Sequence, residues 1–208
     1  MLLARKGLSL RGRRLSRYAA AMAAMAAILM AGCTQMSVLA WNQVPMTEFH
    51  VDGTRLYMQG AINSKTLKQF EDVYAKHPNI KTLVELDVPG SLDDDTMIAL
   101  AYRVRELGLN THLEASSLIQ SGGVDLFLAG VRRTMAPGAQ IGVHSWSDGS
   151  RDAKDYPRDA PEHEQNRLYI ERMLGDDSFY WFTIYAAPAD DIHFMSSTEI
   201  KKYGLLSR

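Results

Sequence analysis

From about residue 55 to residue 206, short apolar runs alternate with amphipathic stretches, and this order constrains the fold more than any other feature of the chain. Arg55–Ile62 alternates apolar residues and predicts a strand or hairpin. Asn63 or Ser64 can cap a helix to about Lys76, with Leu67, Phe70, Val73 and Tyr74 on one face, and His77-Pro78-Asn79 stops it. Ile80–Val88 predicts a buried strand and Pro89-Gly90-Ser91 a turn. Asp93–Asp95 then offer acidic caps to a helix over Thr96–Leu107, ended by Gly108. Asn110–Glu114 predicts a short strand, Ser121–Val131 an apolar helix, and Gln140–Trp146 a strand after the Pro137-Gly138 turn. Residues 147–166 are charged, carry Pro157 and Pro161, and read as a long surface loop. Leu168–Leu174 and Ser178–Ala186 predict helices, and Ser197 caps a last one ending at Gly204. Such alternation gives an α/β domain with a mostly parallel sheet and flanking helices.

Charge excludes one class of function. The 208 residues carry a formal net charge of −1, but residues 1–32 hold six basic groups and no acid. The remainder, with 17 basic and 24 acidic residues, is acidic, whereas a nucleic-acid binder needs a basic face. Cys33 is the only cysteine, so neither an intrachain disulfide nor a cysteine-pair zinc site can form. The six histidines make no HxxxH or HExxH pair, and Asp93-Asp94-Asp95 read as helix caps, so neither metal nor cofactor is expected.

The basic start is followed by an uncharged run of 13 residues, Ala19 to Ala31, the two parts of a secretory signal. A membrane-spanning helix needs about 20 apolar residues, so the run is too short to cross a bilayer comfortably. Leu29-Met30-Ala31-Gly32-Cys33 resembles a bacterial lipobox, with Met30 where leucine is usual. The resemblance implies cleavage before Cys33 and lipidation of its thiol. Residues 1–32 are then a lipoprotein-type signal peptide, 33–50 a tether and 51–208 the folded domain. Thr34, rather than an aspartate, follows the cysteine, which favours the outer membrane over the inner, with the domain facing the periplasm.

Ser121 stands at a strand-to-helix junction, followed by Gly122 and Gly123. The serine can be a nucleophile with the Gly122 N–H as an oxyanion donor, or it can simply cap the helix. The G-x-S-x-G elbow pattern is met except at Ile119, so a strained elbow is not expected here. His144 ends the strand that returns after this helix, where an imidazole can serve a serine as base. Arg132-Arg133 suit the helix's negative end, and the aromatic run Phe179–Tyr185 suits core or oligomer contact.

Pro89-Gly90-Ser91, Gly108-Leu109-Asn110-Thr111, Ser121-Gly122-Gly123, Phe127-Leu128-Ala129-Gly130, Ile141-Gly142-Val143-His144 and Met195-Ser196…Glu199…Tyr203-Gly204-Leu205 occur in this order. The series resembles the Clp-protease-like serine hydrolases of the Clp/crotonase superfamily, especially their secreted bacterial relatives. The resemblance implies a fold of stacked ββα units and a Ser-His-Asp site acting on peptide or acyl substrates. Ser121 matches the nucleophile, His144 the base, and Gly90 and Gly122 the oxyanion-hole positions; Ser91 stands where a second glycine is usual. The family's acid falls ungapped on Ile192, and a one-residue shift gives Asp191, with Asp190 next; Asp148, Asp152 and Asp155 are more distant substitutes. Two rivals remain: a non-catalytic binding lipoprotein on the same fold, and an acyl-ester or acyl-thioester enzyme.

We predict that Cys33→Ser blocks incorporation of labelled fatty acid and leaves an uncleaved precursor, read by metabolic labelling and gel mobility. Normal processing of the variant, with no label on the native protein, would overturn the lipoprotein reading.

Overall fold

A computed structural model describes residues 44–207. The expected signal peptide, Cys33 and most of the expected tether lie outside the described residues. The elements run β1 (Thr47–Asp52), β2 (Arg55–Gly60), α1 (Thr66–Lys76), β3 (Thr82–Val88), α2 (Asp94–Glu106), β4 (Asn110–Gln120), α3 (Gly122–Leu128), β5 (Arg133–Met135), β6 (Gln140–Val143), α4 (Pro161–Leu174), α5 (Ser178–Ala186), β7 (His193–Phe194) and α6 (Ser197–Lys202). One seven-stranded sheet has the order β1-β2-β3-β4-β6-β7, with β5 beside β4. The pairings β2·β3, β3·β4, β4·β5 and β4·β6 are parallel, and the edge pairs β1·β2 and β6·β7 are antiparallel. Helices flank the mostly parallel sheet, as the alternating sequence pattern predicts.

The central strand β4 changes partner along its length. Thr111–Leu113 pair with β5 and Leu118–Gln120 with β6. Between these stretches β4 bulges against β3, which advances from Glu85 to Asp87 while β4 runs from Leu113 to Leu118. Ser117 closes the bulge: its hydroxyl donates to the Glu85 carbonyl (2.5 Å) and accepts from the Glu114 N–H (2.9 Å). The second half of β4 carries the chain to Ser121.

Several elements start where the residues dictate. Asp93 caps α2 by accepting from the Thr96 N–H at 3.0 Å. Ser196 and Glu199 form a reciprocal capping box on α6, so the cap lies one residue before the expected Ser197. Pro161 opens α4 instead of ending a loop, because a proline at the first helical position sacrifices no hydrogen bond. Residues 47–50, expected in the tether, are instead part of the strand Thr47–Asp52 paired with β2, so regular structure begins before residue 51. Phe49 of that strand packs edge-on against Phe70.

The core joins Leu56, Met58, Phe70, Leu83, Leu100, Leu113 and Phe127 across the sheet and its helices. Glu85 of β3 is the exception within it. It is fully buried, and neither carboxyl oxygen has a hydrogen-bond partner among the described residues. Burial raises its pKa well above the ordinary 4.5. Its protonated form is therefore favoured in the fold, and stability falls as pH rises from about 4.5 through the raised folded value. We predict that Glu85→Leu stabilises the protein by about 1–3 kcal/mol near neutral pH, because it removes an unsatisfied buried polar group. The gain should shrink below pH ~4.5, as read by denaturant melts across pH. A destabilised Glu85→Leu at neutral pH would show that the carboxyl has a partner.

Candidate active site

The Ser121 N–H donates to the Gly142 carbonyl of β6 at 3.1 Å, extending the β4·β6 ladder by one residue. The chain then turns sharply. Ser121 has φ 50° and ψ −126°, the only positive φ at a non-glycine residue among those described. Its carbonyl accepts from the Val124 (2.8 Å) and Asp125 (3.3 Å) N–H groups and so starts α3. Its side chain makes no cap hydrogen bond. Helix caps sit in the extended region and accept through their side-chain oxygen, and Ser121 does neither. A strained serine between strand and helix, hydroxyl free, is the geometry of a nucleophile elbow. The elbow exists although Ile119 breaks the sequence pattern. The glycines needed for close approach are Gly90, across from the serine, and Gly122 and Gly123, which directly follow it, rather than one two residues before it.

Those glycines let two segments touch. A Cβ at Gly90 would lie 3.1 Å from Ser121 Cβ and 3.5 Å from its Oγ. A Cβ at Gly122 would lie 2.5 Å from Ser91 Oγ, and one at Gly123 would lie 2.7 Å from the Val88 carbonyl oxygen. The turn after β3 thus packs directly on the start of α3. It is anchored on its other side by Ile62, whose N–H donates to Gly90 O (2.9 Å) and whose carbonyl accepts from Leu92 N–H (2.7 Å). Gly90 and Gly122, the two expected oxyanion positions, therefore flank Ser121.

His144 follows β6 directly and lines the same cavity as Ser121, a space of about 80 Å³. Its Nδ1 lies 2.7 Å from the Ser145 carbonyl oxygen. A carbonyl can only accept, so Nδ1 carries the proton and the Nε2 lone pair is left to take one. Ser145 is buried and its N–H is tied to Ala187 O at 2.9 Å, which holds that carbonyl in place. No hydrogen bond joins Ser121 Oγ to His144 among the described residues.

The expected acid makes no hydrogen bond to His144 among the described residues. Asp191 is exposed and its carboxylate accepts from the N–H of Ile192 at 2.8 Å. Its N–H bonds to Pro188 O, closing a turn at the surface before β7 pairs with β6. Asp190 is exposed as well. Ile192 is the residue that faces inward: its Cγ2 lies 2.7 Å from where a Gly142 Cβ would be. The ungapped match was thus the structurally meaningful one, and the position holds an apolar side chain. Asp148 is held within its own loop by Tyr156, Ser150 and Arg151, bonds that push its pKa below the usual carboxylate range. The place behind His144 belongs to a main-chain carbonyl.

Asp125 was not singled out in the sequence, yet it lines the cavity one helical turn after Ser121. Burial first, and then the nearby Asp94, raise its pKa to about 7. Its signal was a lone acid among Val124, Leu126, Phe127 and Leu128 on a short buried helix. Phe179 and Tyr180, assigned to core or oligomer contact, also wall the cavity. The Tyr180 hydroxyl accepts from Trp146 Nε1 (2.9 Å) and lies 2.7 Å from His163 Nδ1. Among the described residues no group of three or more His, Cys, Asp or Glu is placed to hold a metal ion.

No protein-family model matches the chain, and no curated protein matches it. Solved structures do. A lysine-to-alanine mutant of the 1510-N membrane-bound stomatin-specific protease, in complex with a substrate peptide, aligns with TM-score 0.51 at 21% identity. The alignment covers 73% of this chain and 71% of that one. A serine-to-alanine mutant of the same protease gives 0.52 at 19% identity, over 73% and 75%. An enoyl-CoA hydratase from Bacillus anthracis aligns with TM-score 0.49 at 13% identity, over 78% and 69%. At these identities the likeness is one of fold.

The strain at Ser121 is measurable. We predict that Ser121→Gly is more stable than Ser121→Ala by about 1–3 kcal/mol, because glycine adopts positive φ without a Cβ clash. Equal stability of the two variants, compared in denaturant melts, would show that the turn relaxes at no cost.

Proposed function

We propose that this chain is a serine hydrolase, with peptides as the favoured substrates, lipid-anchored through Cys33 and facing the periplasm. The observation that carries the catalytic reading is Ser121: a non-glycine residue held at positive φ, uncapped, with its hydroxyl in a cavity shared with an imidazole. Such strain persists where surrounding structure enforces it for a purpose.

In the mechanism, Ser121 Oγ attacks the substrate carbonyl carbon while His144 Nε2 takes the hydroxyl proton. The carbonyl π pair moves onto oxygen, and the Gly122 and Gly90 N–H groups stabilise that oxyanion. The C–N bond then breaks as His144 returns its proton to the leaving nitrogen. Water, deprotonated by the same imidazole, releases the acid and restores Ser121. The Ser145 carbonyl holds the Nδ1–H tautomer throughout, the task a carboxylate performs in a triad. A carbonyl stabilises the imidazolium less than a carboxylate, so a slow enzyme is expected.

A second reading, a binding protein that has lost catalysis, is favoured by the missing Ser121–His144 hydrogen bond and by the apolar Ile192. A fluorophosphonate separates the two. We predict covalent labelling of the native protein, none of Ser121→Ala, and labelling slowed by about 10²–10⁴ in His144→Ala. Asp191→Asn should change the rate by less than about twofold, against about 10⁴ for a true triad acid. A native protein that takes no label, or a Ser121→Ala variant that still does, sinks the hydrolase reading. Turnover of peptide against ester substrates then sets the acyl class.

A further inference from the structure

The cavity beside Ser121 has an unbalanced charge. Its lining includes the carboxylates of Asp94 and Asp125 and no lysine or arginine. Asp94 is exposed and accepts from the Ser91 hydroxyl, so it marks the outer side. Asp125 is the inner group. Its main-chain carbonyl accepts from the Tyr169 hydroxyl at 2.6 Å, which fixes the backbone, but its carboxyl oxygens accept no hydrogen bond from any described residue. Arg105 does not line this cavity; its Nη2 donates to Leu128 O (2.9 Å) and sits 3.3 Å from Met173 Sδ. The lining also includes the aromatic residues Phe179, Tyr180 and Trp146, a residue class that attracts cations, and the neutral polar residues Asn166 and Thr183.

Asp125 is half-buried, and its carboxylate, without a donor from the protein, keeps acceptor capacity that a cation entering the cavity can use. The space, about 80 Å³, admits a group of only a few heavy atoms. An alkylammonium fits these terms. It is compact, carries three donors, and can meet both carboxylates while its methylenes lie on the rings. We propose that the cavity selects substrates bearing an alkylammonium group, which binds between Asp94 and Asp125 next to Ser121. The assignment of this group to a substrate rests on the hydrolase reading; the binding itself does not. Burial raises the Asp125 pKa to about 7, and a bound cation would lower it by favouring the ionised carboxylate.

Two sources share this chemistry, a lysine-type side chain and a free α-amine. Calorimetric titration of the full folded domain tests the site without turnover. n-Butylammonium should bind at least about tenfold more tightly than n-butanol, and Asp125→Asn should remove that preference. Asp94→Asn, which keeps an acceptor for the Ser91 hydroxyl, should reduce it. N-acetyl-lysine methylamide and norleucine methylamide with a free amine identify the source, and tight binding of either supports the ammonium site. Equal binding of butanol and butylammonium by the native protein, or an undiminished preference in both variants, overturns it. If ammonium binds but fluorophosphonate does not label, the hydrolase reading fails alone. If label appears and no ammonium preference does, the specificity fails alone.

Discussion

The site depends on a contact that side chains would forbid. The turn after β3 and the first residues of α3 touch at Gly90, Gly122 and Gly123, where any Cβ would meet Ser121, Ser91 or the Val88 carbonyl within about van der Waals distance or less. This contact brings the end of one βα unit onto the start of the next. It encloses Ser121 on one side while β6 fixes it on the other through the Gly142 carbonyl. The strained φ of Ser121 follows, because the chain must leave a ladder and begin a helix within a single residue. The small volume of the cavity follows as well, since the two segments leave little room between them.

The sequence made the broad fold legible because burial writes itself into periodicity. β3 shows as Leu83, Val84, Val88 and α2 as Ile98, Ala101, Val104, all buried in the structure. Short elements escaped. Arg133–Met135 and His193–Phe194 are too brief for a period, and they exist because β4 and β6 supply a ladder to join. β4 itself was read only to Glu114, since the bulge around Ser117 breaks its alternation before Gln120. The placing of Ser121 and His144 at one cavity was foreseeable from topology: a parallel return strand ends beside the strand it pairs with. The orientation of Asp191 was not. It depends on how the turn from Pro188 closes, and only coordinates decide whether Asp191 or Ile192 faces β6.

Asp125 and Glu85 show a different gap between sequence and chemistry. Each is a single acid inside an apolar segment, and the same letter could mean a solvated edge or an enclosed charge. In the fold Glu85 is fully buried and Asp125 half-buried, and burial raises both pKa values. They differ in what lies beside them. Glu85 is packed in the core, fully buried and without a partner. Asp125 opens onto a cavity that an outside molecule can enter. Burial thus produces a structural burden at one position and a chemical opportunity at the other.

The divided pairing of β4 works like a vernier. Its first half is read against β5 and its second half against β6, with the Ser117 bulge between the two scales. A slip by one residue would move Ser121 by about 3.3 Å along the strand and turn each inward side chain outward. Such a slip would have to break the β4·β6 ladder and the second stretch of the β3·β4 ladder together, even where the bulge let the first half of β4 hold its place. The position of the serine along its strand is therefore set by strands on both sides of it. A change in length at the turn between β5 and β6 need not disturb it.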